Sequence, residues 1–75
     1  MRLTHLAGGE AAFIKQFEGM SDAFQRRLCD MGIAIGSELK LLSIINFGRL
    51  FYISVDDVEF CLRRKDAKKI LVECL

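Results

Sequence analysis

The stretch from Phe24 to Leu39, FQRRLCDMGIAIGSEL, constrains this chain more than any other. Phe24, Leu28 and Met31 fall at i, i+4 and i+7, the spacing of one helical face. Ser21 stands where an N-cap is wanted, and Asp22 places negative charge on the first turn, where the helix dipole favours it. A helix over residues 22–31 is therefore expected. Gly32 then occupies the position of a left-handed C′ residue. With Gly32 as C′, Leu28 is C3 and Ile33 is C″, the two positions whose side chains meet in a Schellman stop. Gly36 permits a second turn before Glu38-Leu39-Lys40-Leu41 begins a strand.

The remainder reads as β-structure. Residues 3–6 make a short turn that Gly8-Gly9 breaks. Residues 11–18 form a first strand, with Ala11 and Phe13, and Phe17 further on, expected toward a core. Residues 38–45 form a second, and Asn46-Phe47-Gly48 turns the chain into a hairpin. In residues 49–55, Phe51, Ile53 and Val55 alternate with Tyr52 and Ser54. Asp56-Asp57 makes a tight turn into a fourth strand, where Val58, Phe60 and Leu62 alternate. One helical turn over residues 64–69 leads to a fifth strand from Ile70 to Glu73. The second strand contains a conflict, since Leu39 and Leu41 claim one face and Leu42 and Ile44 the other. A bulge reconciles them, as does a strand covered on both sides. Proline is absent, so turns rest on glycine, asparagine and aspartate. Five short strands with a helix inserted between the first two suit a small, partly open barrel.

The motif Leu28-x-Asp30-Met31-Gly32-Ile33-x-x-Gly36-Ser37-Glu38-Leu39 resembles the central motif of the FeoA family, small cytoplasmic proteins that assist the ferrous iron transporter FeoB. The ending Leu62-Arg63-Arg64-Lys65-Asp66-Ala67-Lys68-Lys69-Ile70-Leu71-Val72-Glu73 and the opening Leu3-x-x-Leu6-x-x-Gly9-Glu10 are similar to that family too, and the blocks come in family order. The resemblance implies a mostly β, SH3-like barrel of about five strands with short helices, filling residues 1–75 as one domain. It also implies a non-catalytic accessory protein that acts by contact with the membrane GTPase-permease FeoB.

Composition agrees with one small domain. A chain of 75 residues buries only roughly 60–65% of its unfolded surface, and 52% hydrophobic residues supply the dense core this demands. The balance of 11 basic and 10 acidic residues gives a net charge of +1, which offers little general attraction to nucleic acid or anionic membrane. No signal peptide follows Met1, and the densest apolar run, Leu39 to Ile45, is too short to span a bilayer. A cytoplasmic protein without direct membrane insertion is expected. The three cysteines are an odd, widely spaced set suited to reduced thiols.

Catalysis finds little support. The single histidine, His5, stands alone in an N-terminal segment expected to fray, and no phosphate-binding glycine motif is present. Asp56 and Asp57 suit a turn better than an acid–base pair. No Cys-x-x-Cys or Cys/His cluster offers a metal site, and no cofactor is expected. Cys29 reads as a small structural hydrophobe beside the apolar stripe, and Cys61 as outward-facing. A weak metal site joining Cys61 with Glu59 or Cys74 has no support from spacing. The surface expected to meet the transporter is Phe24, Arg26, Arg27, Met31 and Ile35, on the helix and its adjoining loop. Leu28, Gly32, Ile33 and Gly36 carry the structural motif. The alternatives are an SH3-like domain related to the C-terminal domain of iron-dependent repressors, or a small nucleic-acid-binding barrel. Exposed strand edges also leave a homodimer open.

Overall fold

A computed structural model describes residues 1–75. A 3₁₀ turn at Leu3–His5 precedes five strands and two helices: β1 (Ala11–Phe17), α1 (Asp22–Asp30), β2 (Glu38–Ile45), β3 (Leu50–Val55), β4 (Val58–Arg63), α2 (Arg64–Ala67) and β5 (Ile70–Cys74). The strands form one antiparallel sheet in the order β4-β3-β2-β1-β5. The open edge of β5 is partly covered by the N-terminus, where the Val72 amide donates to the Met1 carbonyl at 2.7 Å. Sixteen residues are buried and none is polar or charged. Burial of apolar area is therefore the dominant favourable term.

Two bulges curl the sheet. In β1, Ile14 pairs with Val72 and Gln16 with Leu71, so Lys15 is the extra residue. In β2, Leu41 pairs with Ile53 and Ser43 with Tyr52, so Leu42 is extra. Each bulge resets which side chains face inward. The second resolves the conflict in β2: Leu39 and Leu41 are buried, and Ile44 rejoins the inward side opposite Phe51. Ile44 remains 43% exposed because it lies beyond the end of the core.

The expectation for β1 is corrected. Ala12 and Ile14 are the buried residues, whereas Phe13 is 42% exposed and Ala11 only half-buried. Ala12 pairs with the buried Leu39, which fixes the inward parity at even positions. The bulge at Lys15 then switches that parity, and Phe17 packs against the core as expected. In β3, Phe51, Ile53 and Val55 are all buried. In β4, Leu62 is buried and Phe60 packs on the core, but Val58 at the sheet's rim is 52% exposed.

Helix α1 starts and stops as its sequence dictates. The Ser21 hydroxyl accepts from the Phe24 amide at 3.2 Å. At the other end the Ile33 amide donates to the Leu28 carbonyl at 2.8 Å, and the Gly32 amide to the Cys29 carbonyl at 3.0 Å. Those are the two bonds of a Schellman stop, with Gly32 at φ +92°. A Cβ on Gly32 would meet nothing within 4 Å, so the backbone angle alone restricts the position. Gly32→Val is expected to cost about 1–2 kcal/mol, because a β-branched residue fits this region poorly. An unchanged thermal midpoint would remove the left-handed requirement.

Candidate functional site

Helix α1 is attached by few buried side chains. Leu28 is its one buried residue, Phe24 packs partly on the core, and Met20 and Ile33 anchor the flanks. The exposed part of its apolar face forms one wall of an open cleft. Phe24, Arg27 and Met31 stand on that wall, and Cys61, Arg63 and Lys65 from β4 and α2 stand opposite, with Leu28 and Leu62 at the base. Met31 is 46% exposed. Three cations, Arg27, Arg63 and Lys65, surround this apolar surface against one carboxylate, Asp66. No salt bridge engages any of these four charges.

The five residues expected at the partner face are divided between two surfaces. Phe24, Arg27 and Met31 line the cleft. Arg26 and Ile35 lie on the other flank of the helix with Phe17 and Cys29. Helical geometry requires this, since Arg26 and Arg27 are adjacent and point about 100° apart. Cys29 is exposed, which corrects its reading as a structural hydrophobe, and Cys61 faces outward as expected. The second wall of the cleft, Cys61, Arg63 and Lys65, stands beside α1 only through the tertiary packing of β4 and α2; the basic run at Arg63 to Lys65 is visible in the sequence, its place opposite the helix is not.

The loop after α1 is held firmly. The Gly36 amide donates to the Ile14 carbonyl at 2.7 Å, and the Ile14 amide donates to the Ser37 carbonyl at 2.9 Å. The Ser37 hydroxyl donates to the Gly32 carbonyl at 3.2 Å and accepts from the Ala34 amide at 3.3 Å. The helix stop and the start of β2 thus form one hydrogen-bonded unit, which fixes the C-terminal end of α1 against the sheet.

No group of three or more His, Cys, Asp or Glu side chains converges on one point. On the outer face of β3 and β4, the Tyr52 hydroxyl donates to the Glu59 carboxylate. That hydrogen bond raises the tyrosine above its usual 10.0, with desolvation and then the charges of Glu59 and Cys61 adding to it. Raised in the folded state, this group contributes stability that is complete below about pH 10 and is lost as pH climbs through the raised value. Tyr52 is the only tyrosine and the chain has no tryptophan, so ultraviolet absorbance reports it alone. Its titration midpoint is expected above 10.0 and should fall toward that value in Glu59→Ala.

A five-stranded, bulge-curled antiparallel sheet with a helix between its first two strands and an open cleft beside that helix defines a small SH3-like β domain. The FeoA domain model matches residues 1–74, and the chain belongs to the FeoA family. A curated relative, the Fe(2+) transport protein A/Fe(2+) transporter FeoB fusion protein of Porphyromonas gingivalis, is 33% identical over 75 residues; the match takes 100% of this chain and 9% of that protein. The chain thus spans about a tenth of this relative's length. The solution structure of FeoA from Chlorobium tepidum superposes with a TM-score of 0.93 at 29% identity, covering 100% of this chain and 70% of that one. Stenotrophomonas maltophilia FeoA complexed with zinc, described as a prokaryotic SH3 domain protein, gives 0.81 at 26% identity, covering 97% and 89%. A manganese-dependent transcriptional repressor gives 0.87 at 20% identity, covering 100% of this chain and 41% of that one, and shares the fold alone.

Proposed function

We propose that this chain is a non-catalytic accessory protein of ferrous iron uptake that binds the cytoplasmic side of a FeoB-type transporter through the cleft beside α1. The observation that carries this reading is the fusion relative, in which Fe(2+) transport protein A and FeoB share one chain. Tethering holds two modules at high effective concentration, so a fusion suits partners that act together. The cleft supplies a fitting surface: an exposed methionine and a half-buried phenylalanine among unpaired cations, the mixture that interface hot spots favour. A partner segment with apolar anchors and acidic flanks complements it. Action by contact requires only that the chain bind one state of the transporter better than another.

The test is co-purification of the tagged chain with the transporter from solubilised membranes, paired with ferrous uptake in cells lacking the native copy. Arg27→Glu places a negative charge in the cleft and is expected to weaken association at least about tenfold, or about 1.4 kcal/mol. Arg26→Glu makes the same charge change on the opposite flank and should act much less. Both should melt like the parent protein. If Arg27→Glu still co-purifies and still supports uptake, the cleft is not the contact.

A further inference from the structure

The tip of the β2–β3 hairpin carries a phenylalanine that nothing in the fold uses. Phe47 is 101% exposed. It also sits at φ +58° between Asn46 at +56° and Gly48 at +81°. A bulky side chain rarely adopts this left-handed region, and this one buries nothing in return. Asparagine or glycine would suit the backbone better. A strained residue with no structural reward points to a use outside the fold. Ile45 beside it is 43% exposed, which extends the apolar tip.

A second feature adjoins the first. Arg2, His5, Arg64, Lys65, Lys68 and Lys69 line a shallow concavity with no carboxylate in its wall. Arg2 is fixed by Glu18 at 2.6 Å and by the Lys68 carbonyl at 2.9 Å. No salt bridge engages Arg64, Lys65, Lys68 or Lys69. Arg64 joins the two features: its guanidinium donates to the Gly48 carbonyl at 3.2 Å, and its amide donates to the Arg49 carbonyl at 2.8 Å. A net charge of +1 thus conceals a strongly segregated one.

We propose that this end of the molecule docks on an anionic phospholipid surface, with Phe47 at headgroup depth and the basic concavity on the lipid phosphates. Charge complementarity selects an anionic occupant, and the aromatic tip selects a lipid surface over a free ion. A protruding, fully exposed ring needs a preformed pocket to bind a rigid protein, whereas an interfacial lipid layer accepts it directly. Clustered cations near a membrane draw on the negative potential of acidic headgroups, and that attraction weakens as salt rises. The contact is superficial, with no segment crossing the bilayer. It uses residues other than those of the α1 cleft except for Lys65, at the shared border.

Co-sedimentation with vesicles tests the proposal. Binding is expected to vesicles of equal parts phosphatidylcholine and phosphatidylglycerol at low salt, to be lost at high salt, and to be absent with phosphatidylcholine alone. Phe47→Asn keeps a residue that tolerates the turn, so it should melt normally yet bind about tenfold more weakly. Lys68→Glu with Lys69→Glu should abolish binding. The chain has no tryptophan, so Phe47→Trp adds a single tryptophan whose emission, excited beyond the absorbance of Tyr52, should shift to the blue on anionic vesicles. Absence of binding at low salt, full binding by Phe47→Asn, or an unshifted Phe47→Trp spectrum each overturns the proposal. Displacement by inorganic phosphate or a polyglutamate peptide at equal charge concentration also overturns it, in favour of a simple anion or an acidic protein.

Discussion

Replacing Ile33 by alanine is expected to destabilise the protein by about 2–5 kcal/mol, the range for truncating a fully buried isoleucine. A 75-residue domain has only about 4–11 kcal/mol in total at ordinary stability per residue. The variant should therefore stand close to the unfolding threshold. Ile33 has no exposed surface, and its amide closes the helix stop on the Leu28 carbonyl. Its side chain and its backbone thus serve the same junction, where α1 is turned back into the sheet. Ile35, two residues on, is 64% exposed, and Ile35→Ala should stay within about 0.5 kcal/mol of the parent. Urea titrations of the two variants give the comparison. An Ile33→Ala cost below about 1 kcal/mol would mean that the junction is not held from position 33.

The contrast between those two isoleucines was legible in the sequence, because the Schellman stop is a local motif. Ser21, Leu28, Gly32 and Ile33 take their roles within one run of chain, and each is found where spacing places it. Alternation in β3 was legible for the same reason, since that strand has no bulge. β1 was not. Its parity depends on which residue faces Leu39 across the sheet, and on a bulge at Lys15 that only pairing with β5 reveals. Phe13 is the larger hydrophobe, yet the buried positions went to Ala12 and Ile14. Cys29 was misread because a nine-residue helix that buries only Leu28 leaves its flanks in solvent. The candidate cleft was half legible. Phe24, Arg27 and Met31 share a helix face, but Cys61, Arg63 and Lys65 become their neighbours only through tertiary packing. The basic run Arg63-Arg64-Lys65 with Lys68-Lys69 is legible in the sequence despite the near-neutral total charge, but only the fold brings Arg2 beside it.

Phe51→Ala is expected to cost about 3–5 kcal/mol, the range for removing a buried aromatic ring. Phe51 is 1% exposed and lies on β3, with Ile44 on one side and Leu62 on the other. Its ring therefore closes the end of the core where the bulge of β2 brings Ile44 inward, and no neighbouring strand can move to fill the space without losing its own register. Phe51→Leu keeps most of the volume and should cost no more than about 1.5 kcal/mol. The difference between the two isolates filled volume from apolar character. The Arg64 guanidinium lies 5.9 Å from the ring centroid, a contact worth about 0.5–1 kcal/mol at an exposed site. A double-mutant cycle of Phe51→Leu with Arg64→Ala should recover a coupling of that size. Because Arg64 also ties the hairpin to α2 through Gly48, Arg64→Ala alone should loosen the tip without unfolding the sheet. Chemical denaturation of the four proteins measures all of these quantities. A loss below about 2 kcal/mol for Phe51→Ala would mean that the rim of the core collapses to fill the gap. In that case the bulge in β2, and not the ring, holds this end of the sheet closed.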